Sequence, residues 1–278
     1  MQSELPFVKM EATGNGLILI DARRLPRRNW SALARSMCDH DRGIGSDGLL
    51  VVLPSKTSDA RMRMFNPDGT EDFCGNGIRC VGVFLYNQGG ICKEHLMLET
   101  LAGQKTLRVE VRRGRATGVE VNMGGPVFEP RLLPARTHRN PIVDYPLQAA
   151  GRRVRVTCLS MGTPHAIIFV RKLPDDPSFL RVSRALERHR LFPERTSVIW
   201  AVVETRQRLS IRIWERGVGE TLGCGTGACS TLVAARLKGL CDEAASVVSR
   251  GGSLRIHWNG DVFMTGSARK VFEGRWSI

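Results

Sequence analysis

Short apolar runs, many alternating with polar residues, fill most of this chain, and two longer apolar stretches interrupt them. The segments VKM (8–10), LILID (17–21), LLVVL (49–53), RMRMF (61–65), LRVEV (107–111) and GVEVNM (118–123) predict strands. So do HAIIFV (165–170), SVIWAVV (197–203), LSIRIW (209–214), LRIHW (254–258) and VFM (262–264). Two helices are predicted immediately after Cys-Gly-x-Gly motifs, over Gly77–Gln88 and Gly227–Lys238. Each runs into glycine, Gly89-Gly90 and Gly239, the residue that most readily ends a helix. Further helices are expected over Arg28–Asp39 and Phe179–His189. The segment 126–150, with Pro126, Pro130, Pro134, Pro141 and Pro146, reads as a linker.

The pattern repeats. Cys74-Gly75-Asn76-Gly77 recurs as Cys224-Gly225-Thr226-Gly227, 150 positions on, and RMRMFN (61–66) recurs at the same offset as IRIWER (211–216). GLLVV (48–52) likewise matches VIWAV (198–202), and the turn around Thr13–Gly16 before LILI matches Gly162–His165 before AIIFV. Four matches in register indicate duplication. The expected fold is therefore α+β, with two similar domains related by a pseudo-twofold and a site in the cleft between them. Residues 1–125 would form the half with Cys74 and residues 126–278 the half with Cys224, the final residues packing back on the first half.

Composition narrows the options. The chain has 278 residues, 42% hydrophobic and 24% charged, a globular balance. No apolar run is long enough to span a bilayer, and MQSELPFVKM lacks the features of a secretory signal, so a cytoplasmic protein without membrane contact is expected. The eight cysteines show no C-x₂-C spacing and imply neither structural metal nor a disulfide framework. Cys38, Cys80, Cys92, Cys158, Cys229 and Cys241 read as buried packing residues. The net charge of +14 raises nucleic-acid binding as an alternative. The basic runs are scattered beside turns, however, and only 6% of residues are aromatic, which favours a solvated surface, anionic small molecules and no nucleic acid.

The repeated motif carries the chemistry. A cysteine at a helix start lies at the positive end of the helix dipole, where the thiolate is favoured. The glycines let backbone N–H groups converge into an anion pocket. Two such cysteines suit inversion of an α-carbon, one removing a proton as thiolate and the other returning one as thiol. Nothing here fits a dinucleotide fingerprint, and a duplicated cysteine does not fit a single-nucleophile hydrolase.

These residues resemble the diaminopimelate epimerase family nearly end to end. The matching blocks are FVKM…TGN (7–15), GIGSDG (43–48), RMFNPDGTEDFCGNGIRC (63–80), ETLAG (99–103), SMGTPH (160–165), FPERTSV (192–198) and WERGVGETLGCGTGAC (214–229). The resemblance implies cofactor-free, metal-free conversion of LL- to meso-diaminopimelate, with Cys74 and Cys224 as the acid/base pair. Gly75, Asn76, Gly225 and Thr226 would bind the reacting carboxylate. Asn15, Asn66, Glu215 and Arg216 would hold the ammonium groups and the distal carboxylate, with His165 orienting its neighbours. A homodimer follows from family habit. Duller alternatives exist: Asn66 merely starting a turn, and Glu215–Arg216 as a solvated pair. Thr163 and Ser197 stand where the family has asparagines that recognise the far end of the substrate. That departure keeps open a racemase of another amino acid, such as histidine, on the same cysteine pair. An inactive basic nucleic-acid-binding or scaffold protein is the remote alternative.

Overall fold

The computed structural model describes residues 4–278. The chain divides into two compact units, one of the described residues up to Asn122 together with Thr265–Ile278, the other Met123–Met264.

In the N-terminal unit, β1 (Glu4–Ala12) and β2 (Asn15–Asp21) form an antiparallel hairpin. Helix α1 (Trp30–Met37) then crosses to β3 (Gly48–Leu53), which runs parallel to β2. Next come β4 (Ala60–Phe65), antiparallel to β3, and the two-residue β5 (Glu71–Asp72). Helix α2 (Gly75–Asn87) leads to β6 (His95–Thr100), parallel to β4, followed by the antiparallel β7 (Gly103–Arg112) and β8 (Arg115–Gly124).

The C-terminal unit repeats this order. Its elements are β9 (Ile142–Ala149), β10 (Arg152–Ser160), β11 (Pro164–Phe169), α3 (Asp176–Glu187), β12 (Ser197–Thr205) and β13 (Arg208–Glu215). They continue with β14 (Gly219–Thr221), α4 (Gly225–Leu237), β15 (Ala244–Ser249), β16 (Gly252–Asn259) and β17 (Asp261–Ser267). Pairings recur as well: β11 is parallel to β12, and β13 to β15, as β2 is to β3 and β4 to β6. The last strand, β18 (Arg269–Ser277), pairs with β1 as β9 pairs with β10. One unit thus takes its extra strand from just upstream, the other from the chain's end.

Two kinds of helix result from two kinds of pattern. In α1 only Trp30, Ala34 and Met37 are buried, spaced along one face, and Asn29 caps the helix by accepting the Ala32 N–H at 3.0 Å. In α3, Asp175 caps the Ser178 N–H at 2.9 Å, and Phe179, Val182 and Leu186 face inward. In α2 and α4 nearly every residue is buried, from Asn76 to Leu85 and from Gly227 to Ala235, as expected of helices that are apolar all round. β2 and β3 are correspondingly buried on both faces. Ile18, Ile20, Leu49 and Val51 pack with α1, while Leu50 lies against α2 at Gly77.

Several strands escape a reading of the pattern. The 126–150 segment expected as a linker contains β9, whose Pro146 is exposed and tolerable on a lone outer strand. β18 is exposed along most of its length and so has no apolar signature; its backbone pairing with β1 defines it. In β10 the arginines at its exposed start obscure the buried run that follows.

Phe179 is fully buried in the C-terminal core, edge-on to Trp214, with the Arg212 guanidinium 3.8 Å over its ring. Phe179→Ala is expected to cost about 3–5 kcal/mol, measurable by urea unfolding, and a loss under about 1 kcal/mol would contradict this packing.

Candidate active site

Each Cys-Gly-x-Gly turns an extended strand end into a buried helix. Cys74 caps α2 with φ −134° and ψ 107°, and its Sγ accepts the Gly77 N–H at 3.2 Å. Cys224 caps α4 with φ −134° and ψ 113°, nearly the same backbone. Packing, not dihedral angle, requires the second glycine of each motif. A Cβ on Gly77 would lie 2.6 Å from Leu50 Cδ2, and one on Gly227 would lie 2.9 Å from Ile199 Cδ1. Either would also touch the cysteine sulfur at ordinary contact distance, 3.5 and 3.4 Å. Gly75 and Gly225 are the first helical residues, so their N–H groups belong to the unsatisfied first turn. Both cap cysteines are partly exposed, whereas Cys38, Cys80, Cys158, Cys229 and Cys241 are buried. Cys92, expected to be buried, is exposed: it lies beyond the end of α2, where no core covers it.

In the C-terminal unit the structure gathers four of the expected residues, Cys224, Thr226, Thr163 and His165. Cys224 Sγ lies 3.4 Å from Thr226 Oγ1 and 3.8 Å from His165 Nε2. Thr226 Oγ1 is in turn 3.3 Å from Thr163 Oγ1. His165, 1% exposed, sets its Nδ1 2.8 Å from the Thr163 carbonyl. A carbonyl only accepts, so Nδ1 carries the proton and Nε2 presents its lone pair towards the sulfur. Burial drops the His165 pKa to about 4, against the opposing Thr163 carbonyl and aided by Arg216, and the ring is neutral at neutral pH.

Burial also pushes the Cys224 thiol well up, and the nearby Glu215 carboxylate adds to this. The expectation that a helix start favours thiolate is therefore corrected at Cys224, where desolvation outweighs the dipole. The S–H then faces two acceptors, His165 Nε2 and the Glu215 carboxylate. Glu215 accepts the Thr221 hydroxyl at 2.6 Å, while Arg216 donates its backbone N–H to Ser197 Oγ at 3.1 Å and its Nη1 to the Glu194 carbonyl at 3.2 Å. Glu215 and Arg216 take separate partners and do not act as a simple surface pair.

In the N-terminal unit, Asn15 begins β2 directly after a two-residue turn, Thr13–Gly14. Its Oδ1 is buried and has no hydrogen-bond partner among the described residues. Asn76 is 6% exposed and accepts from Arg79 Nη2 through Oδ1 at 2.8 Å. Asn66 does start a turn, its backbone N–H donating to Thr70 O at 2.8 Å and its Nδ2 to Thr70 Oγ1 at 3.0 Å. Among the described residues no hydrogen bond joins it to Asn15 or Asn76. The sequence reading passed over Arg79, Thr13 and Ser230, whose Oγ lies 3.4 Å from His165 Nδ1. A polar residue inside an otherwise apolar helix was the available signal for Arg79 and Ser230.

The family model for diaminopimelate epimerase matches residues 7–129 and 157–271. The chain belongs to the diaminopimelate epimerase family. A diaminopimelate epimerase of Moorella thermoacetica is 43% identical over 278 residues, covering 98% of this chain and 99% of the relative. That of Acetivibrio thermocellus is 42% identical over 272 residues, covering 96% and 97%. Among solved structures, a hydroxyproline epimerase from Agrobacterium vitis has a TM-score of 0.74 at 15% identity, covering 100% of this chain and 94% of that one. A PhzF-family phenazine biosynthesis protein of Bacillus anthracis gives 0.69 at 19%, covering 99% and 100%. At such identities these two share the fold alone. No helix among the described residues of this family member is long and apolar enough to cross a membrane.

His165 makes a pH prediction. In the unfolded chain it binds a proton near pH 6.5, in the folded chain only near 4, so the unfolded state holds more protons between these values. Stability therefore falls as pH drops from 6.5 towards 4, and His189, lowered mainly by burial, adds in the same direction. His165→Gln is expected to flatten this fall by up to about 1.4 kcal/mol per pH unit in urea unfolding. Parallel stability profiles for the two proteins would refute the buried neutral ring.

Proposed function

We propose that this chain epimerises LL-diaminopimelate to meso-diaminopimelate by a two-base mechanism, Cys74 and Cys224 being the acid and base and no cofactor taking part. The observation that carries the reading is the duplicated cysteine cap, with the same backbone angles, at two buried helix starts of a diaminopimelate epimerase family chain. Inversion needs a proton removed from one face of the α-carbon and another delivered to the opposite face. Cys224, kept protonated by burial and Glu215, starts as the proton donor. The base in that direction is then Cys74, and the roles exchange in the reverse direction. His165 Nε2 and the Glu215 carboxylate are the acceptors that face the Cys224 S–H.

First-turn N–H groups at Gly75, Asn76, Gly225 and Thr226 suit the reacting carboxylate, whose negative charge grows as the α-proton leaves. The orphaned Asn15 Oδ1 suits an ammonium group, since a buried acceptor left without a donor costs about 1–3 kcal/mol. Asn66, Glu215 and Arg216 complete the recognition of the ammonium groups and distal carboxylate. The relatives favour diaminopimelate over histidine, with the Thr163 and Ser197 hydroxyls serving in place of amides. Cysteines that form no disulfide among the described residues fit the reducing cytoplasm.

Proton NMR of LL-diaminopimelate with reduced enzyme in D₂O is the direct test. The α-proton signal should disappear as the meso isomer accumulates, and a persistent signal would exclude this substrate. Cys74→Ser and Cys224→Ser should each lower the rate in both directions by about 10²–10⁴-fold, the usual worth of a general acid or base. A variant that loses only one direction would contradict a relay shared by both.

A further inference from the structure

Arg79 is 0% exposed, on the second turn of α2, five residues after Cys74. A buried guanidinium is expensive to keep unless its donors are used. These donors are spent on two separate segments. Nη2 bonds Asn76 Oδ1 at 2.8 Å and also Thr13 Oγ1, while Nε reaches Ser267 O at 3.5 Å. Thr13 sits at φ +55° and is followed by Gly14 at φ +77°, a tight hairpin turn in which a β-branched residue is strained. Such strain persists only where surrounding structure enforces it.

The duplication supplies an internal comparison. The positions 150 residues after Thr13, Asn76 and Arg79 are Thr163, Thr226 and Cys229. In the C-terminal unit the two hydroxyls meet directly, Thr163 Oγ1 to Thr226 Oγ1 at 3.3 Å, and the buried Cys229 brings no cation there. In the N-terminal unit the corresponding two positions are joined through the Arg79 guanidinium. The charge has been added where the segments it joins lead to Asn15 and Asn76.

We infer that Arg79 is a positioning residue: it fixes the Asn76 amide with Oδ1 turned inward, leaving Nδ2 to donate to substrate. Through Thr13 it also sets the turn that presents Asn15. This rests on the reading of Asn15 and Asn76 as substrate ligands given above.

The test is a double-mutant cycle with Arg79→Lys and Asn76→Ala, reading kcat and KM for LL-diaminopimelate, with urea midpoints confirming that each variant is folded under assay conditions. Arg79→Lys should lower kcat/KM at least tenfold in the wild-type background and less than twofold in the Asn76→Ala background. Equal losses in both backgrounds would mean a merely structural arginine and overturn the inference. A second readout needs no turnover: the ¹⁵N-labelled Asn76 side-chain amide, assigned by its absence in Asn76→Ala. In wild type its Nδ2 protons should give one distinct pair, and Arg79→Lys should shift that pair and speed its exchange with solvent. An unchanged pair overturns the inference whatever the kinetics show. If the pair moves as expected but wild-type enzyme leaves LL-diaminopimelate untouched, the positioning stands and the substrate assignment fails.

Discussion

A helix buried along almost its whole length has a problem at its first turn. Its leading N–H groups have no partner within the helix, and the surrounding side chains are apolar. In α2 and α4 the answer lies in the turn that feeds the helix. A cysteine holds the cap position of each, its sulfur accepting the Gly77 N–H in α2, and a glycine two residues into each helix leaves room for Leu50 or Ile199. The remaining first-turn N–H groups lie beside the cysteine, at the positive end of each helix. The same packing that builds each core therefore sets a thiol next to helix-start N–H groups in both units.

The two units solve this problem with the same backbone and different polar side chains. Where the N-terminal unit has Asn15, Asn76 and Arg79, the C-terminal unit has His165, Thr226 and Cys229. One side carries a buried cation and an acceptor awaiting a donor. The other carries a neutral histidine, a pair of hydroxyls and a carboxylate near the sulfur. A repeated frame thus carries different polar chemistry in its two copies, because the strand and helix positions leave those side chains free to vary.

Electrostatics at Cys224 show which effect wins. A helix start is worth about 0.3–1 kcal/mol to an anion at an exposed site, whereas burial of a thiolate costs several times more. With Glu215 nearby as well, the thiol keeps its proton. The net charge of +14 plays no part in this local balance. It resides largely on exposed arginines such as Arg153, Arg155 and Arg190.

The amino-acid sequence alone determined the duplication, the α+β class, the position of all four helices to within three residues at either end, and the two cysteine caps. These depend on local order: glycine spacing, apolar runs and an offset of 150 that needs no coordinates to be seen. Tertiary structure decided the rest. β18 exists because β1 lies alongside it, with Glu4 opposite Ser277, and no pattern within its own exposed residues defines it. The bond from Arg79 to Thr13 spans 66 positions, and the approach of His165 to Cys224 spans 59. The raised pKa of Cys224 follows from desolvation of its thiol and from the nearby Glu215, which outweigh the helix start that the sequence displays. Encounters over such separations, and the desolvation that accompanies them, are properties of the folded chain, because only packing brings those groups together and excludes water from them.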